Sequence, residues 1–146
     1  MRQIDFAKHL PYTADQMYRM VGDLKAYPDF LPNCSSMEVW SPPGADKDNV
    51  HARMGIQFGP VRQAYTSEVT FNPEALTIAA SAIDGPFSHL DSLWQFVPAE
   101  EGCHVTFDIS FAIANPLIAA VAEPAFAAKQ EEIIAAFLDR ARELYA

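Results

Sequence analysis

The stretch CHVTFDISF, Cys103–Phe111, sets an apolar side chain at every second position and a polar one between. A period of two marks a strand with one buried and one wet face. The chain after it abandons that period. Across Pro116–Tyr145 the residues Phe126, Gln130, Ile133, Phe137, Ala141 and Leu144 recur at helical spacing. Pro124 must kink this helix or stand in its first turn. From Pro124 onward it would run about 22 residues and roughly 33 Å, enough to cross a whole sheet.

Working outward, the same alternation fills the middle of the chain. Val50, Ala52, Met54, Ile56 and Phe58 alternate with His51, Arg53, Gly55 and Gln57. Tyr65, Ser67, Val69 and Phe71 alternate with Ala64, Thr66, Glu68 and Thr70. Gly59-Pro60, Asn72-Pro73, Gly85-Pro86 and Glu101-Gly102 punctuate the strands as turns, so a meander is expected. Residues 2–9 read as a first strand. Thr13-Ala14-Asp15-Gln16 has the form of a capping box opening a helix with Met17, Met20, Val21 and Leu24 on one face. The proline-broken, aromatic Ala26–Pro32 fits a short turn. The expected fold is α+β: a single helix-grip domain over residues 1–146, with a curved antiparallel sheet wrapped around the long C-terminal helix. An apolar cavity between the two is where function is expected.

Composition narrows the possibilities. The chain has 146 residues, 50% hydrophobic and 20% charged, with ten Lys and Arg against nineteen Asp and Glu, a net charge of −9. That balance argues against an unaided electrostatic grip on nucleic acid or anionic lipid, and no DNA partner is expected. Two cysteines, Cys34 and Cys103, are too few for a disulfide framework or a cysteine metal site, and a reduced, intracellular setting is expected. Cys103 falls on the buried parity of its strand, whereas Cys34 beside the Pro32 loop is expected to be partly exposed. The longest uncharged run, Ile109–Ala122, has fourteen residues, short of the about 20 a spanning helix needs. The expected location is cytoplasmic, with transient contact at the inner membrane face.

Pro11–Tyr18, then Tyr27-Pro28-Asp29-Phe30-Leu31-Pro32-Asn33-Cys34, resemble the START-like coenzyme-Q-binding protein family, which includes a bacterial ribosome-association toxin. Arg62–Ser67, Asp84-Gly85-Pro86-Phe87, Leu90 with Trp94-Gln95-Phe96, and Pro124-Ala125-Phe126 follow in the same order, so the resemblance spans roughly residues 3–145. It implies a START/Bet v 1-like fold with a hydrophobic tunnel, and binding of an isoprenoid quinone, ubiquinone first among them, without chemistry on it. The wider superfamily includes polyketide cyclase/dehydratases. This chain departs from the family at Glu68 and Ser88, where basic residues are common, and at Ser92, where glycine is expected. The missing basic residues rank ribosome contact below the pocket.

The candidate ligand-binding set is Tyr27, Phe30, Leu31, Met54, Phe58, Phe87, Trp94, Phe96, Phe126, Ile133 and Phe137. By pattern alone these residues either fill a core or line a tunnel; the resemblance favours the tunnel for the set as a whole. Tyr27, Phe30, Leu31 and Phe87 stand beside loop prolines, where a gate would sit. No catalytic residue, metal site or required cofactor is assigned. His89 and Asp91 share one strand face, two ligands where zinc needs three or four. No Ser/His/Asp relay can be assembled from spacing. Arg53, Glu68 and Asp108 are expected to pair across the wet face, or Arg53 or Arg62 to orient a polar head group. Lys129, Arg140 and Arg142 intermix with Glu131, Glu132, Asp139 and Glu143, as on a solvated helix face. Three functions stand in order: an isoprenoid-quinone carrier supporting respiration or quinone synthesis, a ribosome-binding inhibitor of subunit association, and a cyclase or dehydratase.

Overall fold

A computed structural model describes residues 2–58 and 61–145, the side chains of Phe58 and Val61 excepted; the Gly59-Pro60 turn lies outside the described residues. The elements run β1 (Arg2–Leu10), α1 (Ala14–Gly22), a 3-10 turn (Leu24–Ala26), α2 (Tyr27–Phe30), β2 (Cys34–Trp40), β3 (Asn49–Phe58), β4 (Val61–Asn72), β5 (Thr77–Ala82), β6 (Phe87–Ala99), β7 (Gly102–Ile113) and α3 (Pro116–Tyr145). The strands form one antiparallel sheet in the order β1-β7-β6-β5-β4-β3-β2. β2 to β7 are the expected meander. β1 joins it by pairing with β7, Phe6 opposite Phe107, because α1 and α2 carry the chain from one edge of the sheet to the other.

Local chemistry explains the helix ends. The capping box forms as expected: the Gln16 N–H donates to Thr13 Oγ1 at 3.0 Å, and the Thr13 N–H donates to Gln16 Oε1 at 3.0 Å. α3 starts at Pro116, with Asn115 Oδ1 accepting from the Leu117 N–H at 2.9 Å. Pro124 therefore stands inside the helix, not in its first turn. Glu123 beside it anchors the helix to the sheet by accepting from the Ile113 N–H at 2.8 Å.

The buried stripe of α3 is Phe126, Gln130, Ile134, Phe137 and Ala141. Leu144, expected on that stripe, is exposed. The last turn is held instead by Tyr145, whose hydroxyl donates to the Gln16 carbonyl at 3.1 Å and whose ring meets Tyr12. The mixed charges of α3 pair along its outer face, Lys129 with Glu132, Arg142 with Asp139 and Arg140 with Glu143.

The wet face of the sheet departs from the expected pairing. Arg53 pairs with Asp84 at 3.6 Å, neither with Glu68 nor with Asp108. Together with Asp84, it covers Thr66, which is buried although it lies on the outward parity. Asp108 stands directly opposite Asp5, a like charge. Burial first, then the hydrogen bond and charge of Asp5, raise its pKa above the ordinary carboxylate range. A carboxyl that binds protons more readily folded than unfolded contributes stability that is lost as pH rises through the raised value. Asp108→Asn should therefore stabilise the protein at neutral pH by about 0.2–1 kcal/mol, the scale of a relieved cross-strand repulsion. Thermal melts should show a gain of about 2 °C at pH 7 that shrinks toward pH 4; an equal gain at both would reject the pairing.

Candidate functional site

Between the sheet and α3 lies a partly open cavity of about 160 Å³. Its floor is the inward face of β3 to β7. Among larger residues such as Met54, Val69, Ile78 and Phe107, small ones face each other: Ala52 stands opposite Ser67 across β3 and β4, and Ala80 opposite Ser92 across β5 and β6. All four line the cavity. Where neighbouring strands carry Ala and Ser instead of Leu or Phe, a helix laid over them cannot fill the gap. The roof is Phe126, Gln130, Ile133 and Phe137 of α3. Trp94, stacked on Phe107 at 4.3 Å, forms one wall, and Tyr27 and Leu31 close another. A second, more open hollow adjoins at Asn33, Cys34, Ser35 and Gln57, so the mouth lies on that side.

Of the residues expected to bind a ligand, Tyr27, Leu31, Met54, Trp94, Phe126, Ile133 and Phe137 line this cavity. Phe30, Phe87 and Phe96 do not. Phe96 is 1% exposed, stacked behind Trp94 and edge-on to Tyr18. Phe30 packs on Tyr27 and Phe137 from outside, under the Arg140 guanidinium. Phe87 wedges between Tyr65 and Phe126 at the rim. The side chain of Phe58 lies outside the described residues. Neither Arg53 nor Arg62 is among the residues lining the cavity, and Arg53 is engaged with Asp84. The lining residues outside the expected set include large apolar ones, among them Leu24, Met37, Ile56, Ile78 and Phe107, and small or polar ones, Ala52, Ser67, Ala80, Ser92, Asn33 and Gln130. Ser67 on a buried parity was the available signal.

The rim is braced. Gly85 has φ +101°, and a Cβ there would stand 2.5 Å from the Tyr65 Cβ, so glycine lets the β5–β6 loop close on β4. Asp84 Oδ1 accepts from the Thr66 N–H at 2.6 Å; this bond first, and Arg53 after it, hold the Asp84 carboxyl below its ordinary range.

Electrostatically the cavity is neutral. None of its described lining residues is Asp, Glu, His, Lys or Arg. Cys34, expected to be partly exposed, is buried because α2 packs over the start of β2, and burial pushes its thiol to about 11. Burial likewise raises Tyr65 to about 12, and Tyr27 further, with Cys34 adding to both. Each keeps its proton at neutral pH. Cys103 is fully buried in the core.

On the opposite face the sheet does assemble a Ser/His/Asp cluster. Nε2 of His89 lies 2.9 Å from Ser110 Oγ and 3.1 Å from Asp91 Oδ2, and Ser81 donates to Asp91. A hydrolytic relay needs the acid and the nucleophile on different ring nitrogens. Here both meet Nε2, so the cluster is a surface pairing. No group of three potential metal ligands occurs among the described residues, and no described helix is long and apolar enough to cross a membrane.

Comparison with known proteins agrees with this architecture. A ribosome association toxin RatA of Pseudomonas aeruginosa is 34% identical over 137 residues, covering 93% of this chain and 92% of its own. The mitochondrial coenzyme Q-binding protein COQ10 homolog B of Xenopus laevis is 30% identical, over 95% of this chain and 57% of its own. The solution structure of the 18 kDa protein CC1736 from Caulobacter crescentus superposes with a TM-score of 0.79 at 32% identity, covering 99% of each chain. The model of the polyketide cyclase/dehydrase and lipid transport family matches residues 10–138, and the chain belongs to that family.

Proposed function

We propose that the protein binds an isoprenoid quinone, ubiquinone or a close relative, and carries or presents it without chemistry on it. The observation that carries this reading is the cavity itself: apolar, uncharged and about 160 Å³. An engineered apolar cavity of about 150 Å³ takes up benzene, so this one has room for a bare six-membered ring, and the substituents of a ubiquinone ring extend toward the hollow at the mouth. A prenyl tail does not fit beside the ring and must leave through the mouth or lift α3. Each buried methylene stabilises by about 0.8 kcal/mol, so a tail held along apolar surface adds affinity without polar contacts. The relative named for coenzyme Q binding supports the ligand class. General acid–base chemistry wants a group titrating near neutrality; the ionisable groups on the cavity wall, Tyr27, Cys34 and Tyr65, are all raised well above it. That favours carriage over cyclisation.

In this reading the ligand is collected at a membrane surface. Leu117, Ile118 and Val121 at the start of α3 are exposed, and so is Ile83 before the β5–β6 loop. Organic extraction of freshly purified protein, with mass spectrometry and ultraviolet spectra, tests the proposal. Near-stoichiometric quinone supports it. Another lipid keeps the cavity and replaces the ligand. An empty extract after incubation with quinone-containing vesicles rejects it.

A second reading, ribosome association, is favoured by the names of relatives such as the Pseudomonas protein. The net charge of −9 opposes contact with an RNA surface. Co-sedimentation at near-physiological salt decides it, absence from the ribosomal pellet removing this reading.

A further inference from the structure

Gln130 is a polar residue in an apolar stripe. It stands on the buried face of α3 between Phe126 and Ile134 and is 3% exposed. Burying a carboxamide is unfavourable unless its groups are hydrogen-bonded, and Gln130 obtains little from the protein. One Nε2 hydrogen goes to the Phe126 carbonyl at 3.3 Å, the long end of such bonds. That carbonyl is also the acceptor an α-helix assigns to the backbone N–H of residue 130. The second Nε2 hydrogen and Oε1 have no partner among the described residues.

Access separates this amide from the other polar groups of the lining. Asn33 Nδ2 donates to the Gln57 carbonyl at 2.8 Å, and its Oδ1 is buried without a partner and closed to the cavity. Gln130 Oε1 is not sealed in that way. Gln130 lies in the roof and is almost wholly shielded from bulk solvent, so the surface its carboxamide retains opens into the cavity. The tyrosines of the wall offer no hydrogen. The Tyr27 hydroxyl donates to the Val21 carbonyl, and the Tyr65 hydroxyl to Met54 Sδ at 3.3 Å. An unpaired polar group in a buried site calls for a reason, and a ligand in the cavity is the available partner.

We propose that Gln130 recognises the polar end of the ligand: its carboxamide hydrogen-bonds a ring oxygen and fixes the ligand in the cavity ring first. The inference rests on the quinone reading above and deepens it by naming the head-group contact. The contact serves either redox form. A quinone carbonyl accepts from the second Nε2 hydrogen, and a hydroquinone hydroxyl donates to Oε1. Gln130 lines the cavity but not the hollow at its mouth. A ring oxygen held there leaves the tail to run outward. The apolar walls then supply most of the affinity, and Gln130 supplies orientation and the preference for an oxygen-bearing ring.

Binding of a short-tailed ubiquinone, and of a benzene carrying the same tail, to the full chain tests this. In Gln130→Leu the affinity for the quinone should fall about tenfold, the scale of one buried hydrogen bond. The affinity for the hydrocarbon should not fall. Gln130→Met, unbranched and of similar length, should repeat the pattern. In the infrared, a ring carbonyl stretch of the bound quinone should move to lower wavenumber in the wild type and return toward its value in apolar solvent in both variants. Equal losses for the two ligands mean that Gln130 only shapes the roof, and overturn the inference. So does a wild-type spectrum with neither carbonyl shifted, or a shift that survives in both variants. Binding of the hydrocarbon without the quinone, or of neither, overturns the quinone reading itself. The wild-type spectrum needs no variant, so the inference stays testable even if both substitutions fold poorly.

Discussion

Replacing Ser67 and Ala80 together by leucine removes ligand binding and leaves the stability within about 1 kcal/mol of wild type. Both residues lie on the inward face of neighbouring strands and both line the cavity. Ser67 is 8% exposed, so a larger side chain there has nowhere to go but into the void. Two leucines occupy the space a ring would need, and the affinity for ligand should fall at least about a hundredfold, as expected when buried ring contacts worth several kcal/mol are lost. Filling the void contributes with the opposite sign from an ordinary large-to-small core mutation. An unfilled apolar void costs about 24 cal/mol per Å³, so filling half of about 160 Å³ recovers roughly 2 kcal/mol. Overpacking strain of about 1–3 kcal/mol offsets this if the added atoms exceed the space. Urea unfolding and ligand extraction on the same preparation read both effects. A filled variant that still copurifies with its ligand would place the binding site elsewhere on the molecule.

That prediction turns on residues the sequence hides, and the reason is physical. Large apolar side chains announce a buried face through their period, which is why β7, β3 and β4 are legible from alternation alone. A cavity is defined by side chains that are absent. Ala52, Ser67, Ala80 and Ser92 come onto one face, two places apart between β4 and β5, only through the register of four strands, and no local pattern shows that register. The aromatic residues that dominate the sequence divide accordingly. Trp94, Phe126 and Phe137 reach the void, whereas Phe96 on the same strand face as Trp94 is packed away behind it by Tyr18. Asn33 is the extreme case. Its unpaired oxygen follows from a bond to Gln57, 24 residues further along the chain. The Asp5–Asp108 juxtaposition likewise needs β1 to pair with β7, the most distant strand in the chain. Capping residues, by contrast, act within one turn, and Thr13 and Gln16 are readable without a structure.

Phe137→Ala should give the largest loss of stability of any single truncation in the roof. Phe137 is 4% exposed and meets three rings edge-on: Trp94 at 5.1 Å, Tyr27 at 5.3 Å and Phe30 at 5.4 Å. Such pairs add about 0.5–1.5 kcal/mol beyond their burial. A buried Phe→Ala change costs about 3–5 kcal/mol, a large part of the roughly 5–15 kcal/mol that holds a domain together. The melting temperature should fall by about 10 °C or more, with an unchanged urea dependence if folding remains two-state. The void left by the ring opens into the existing cavity, so α3 cannot collapse to close it without also expelling Ile133 and Gln130 from the roof. This gives the variant a second signature. Because ligand binds only the folded state, saturating quinone should restore more stability to Phe137→Ala if the ring of the ligand takes up the vacated space than it adds to the wild type. A loss below about 1 kcal/mol would mean that α3 settles onto the sheet when Phe137 is removed, in contrast to the usual partial relaxation of such sites. The cavity would then be a property of one side chain propping the helix, not of the small residues beneath it.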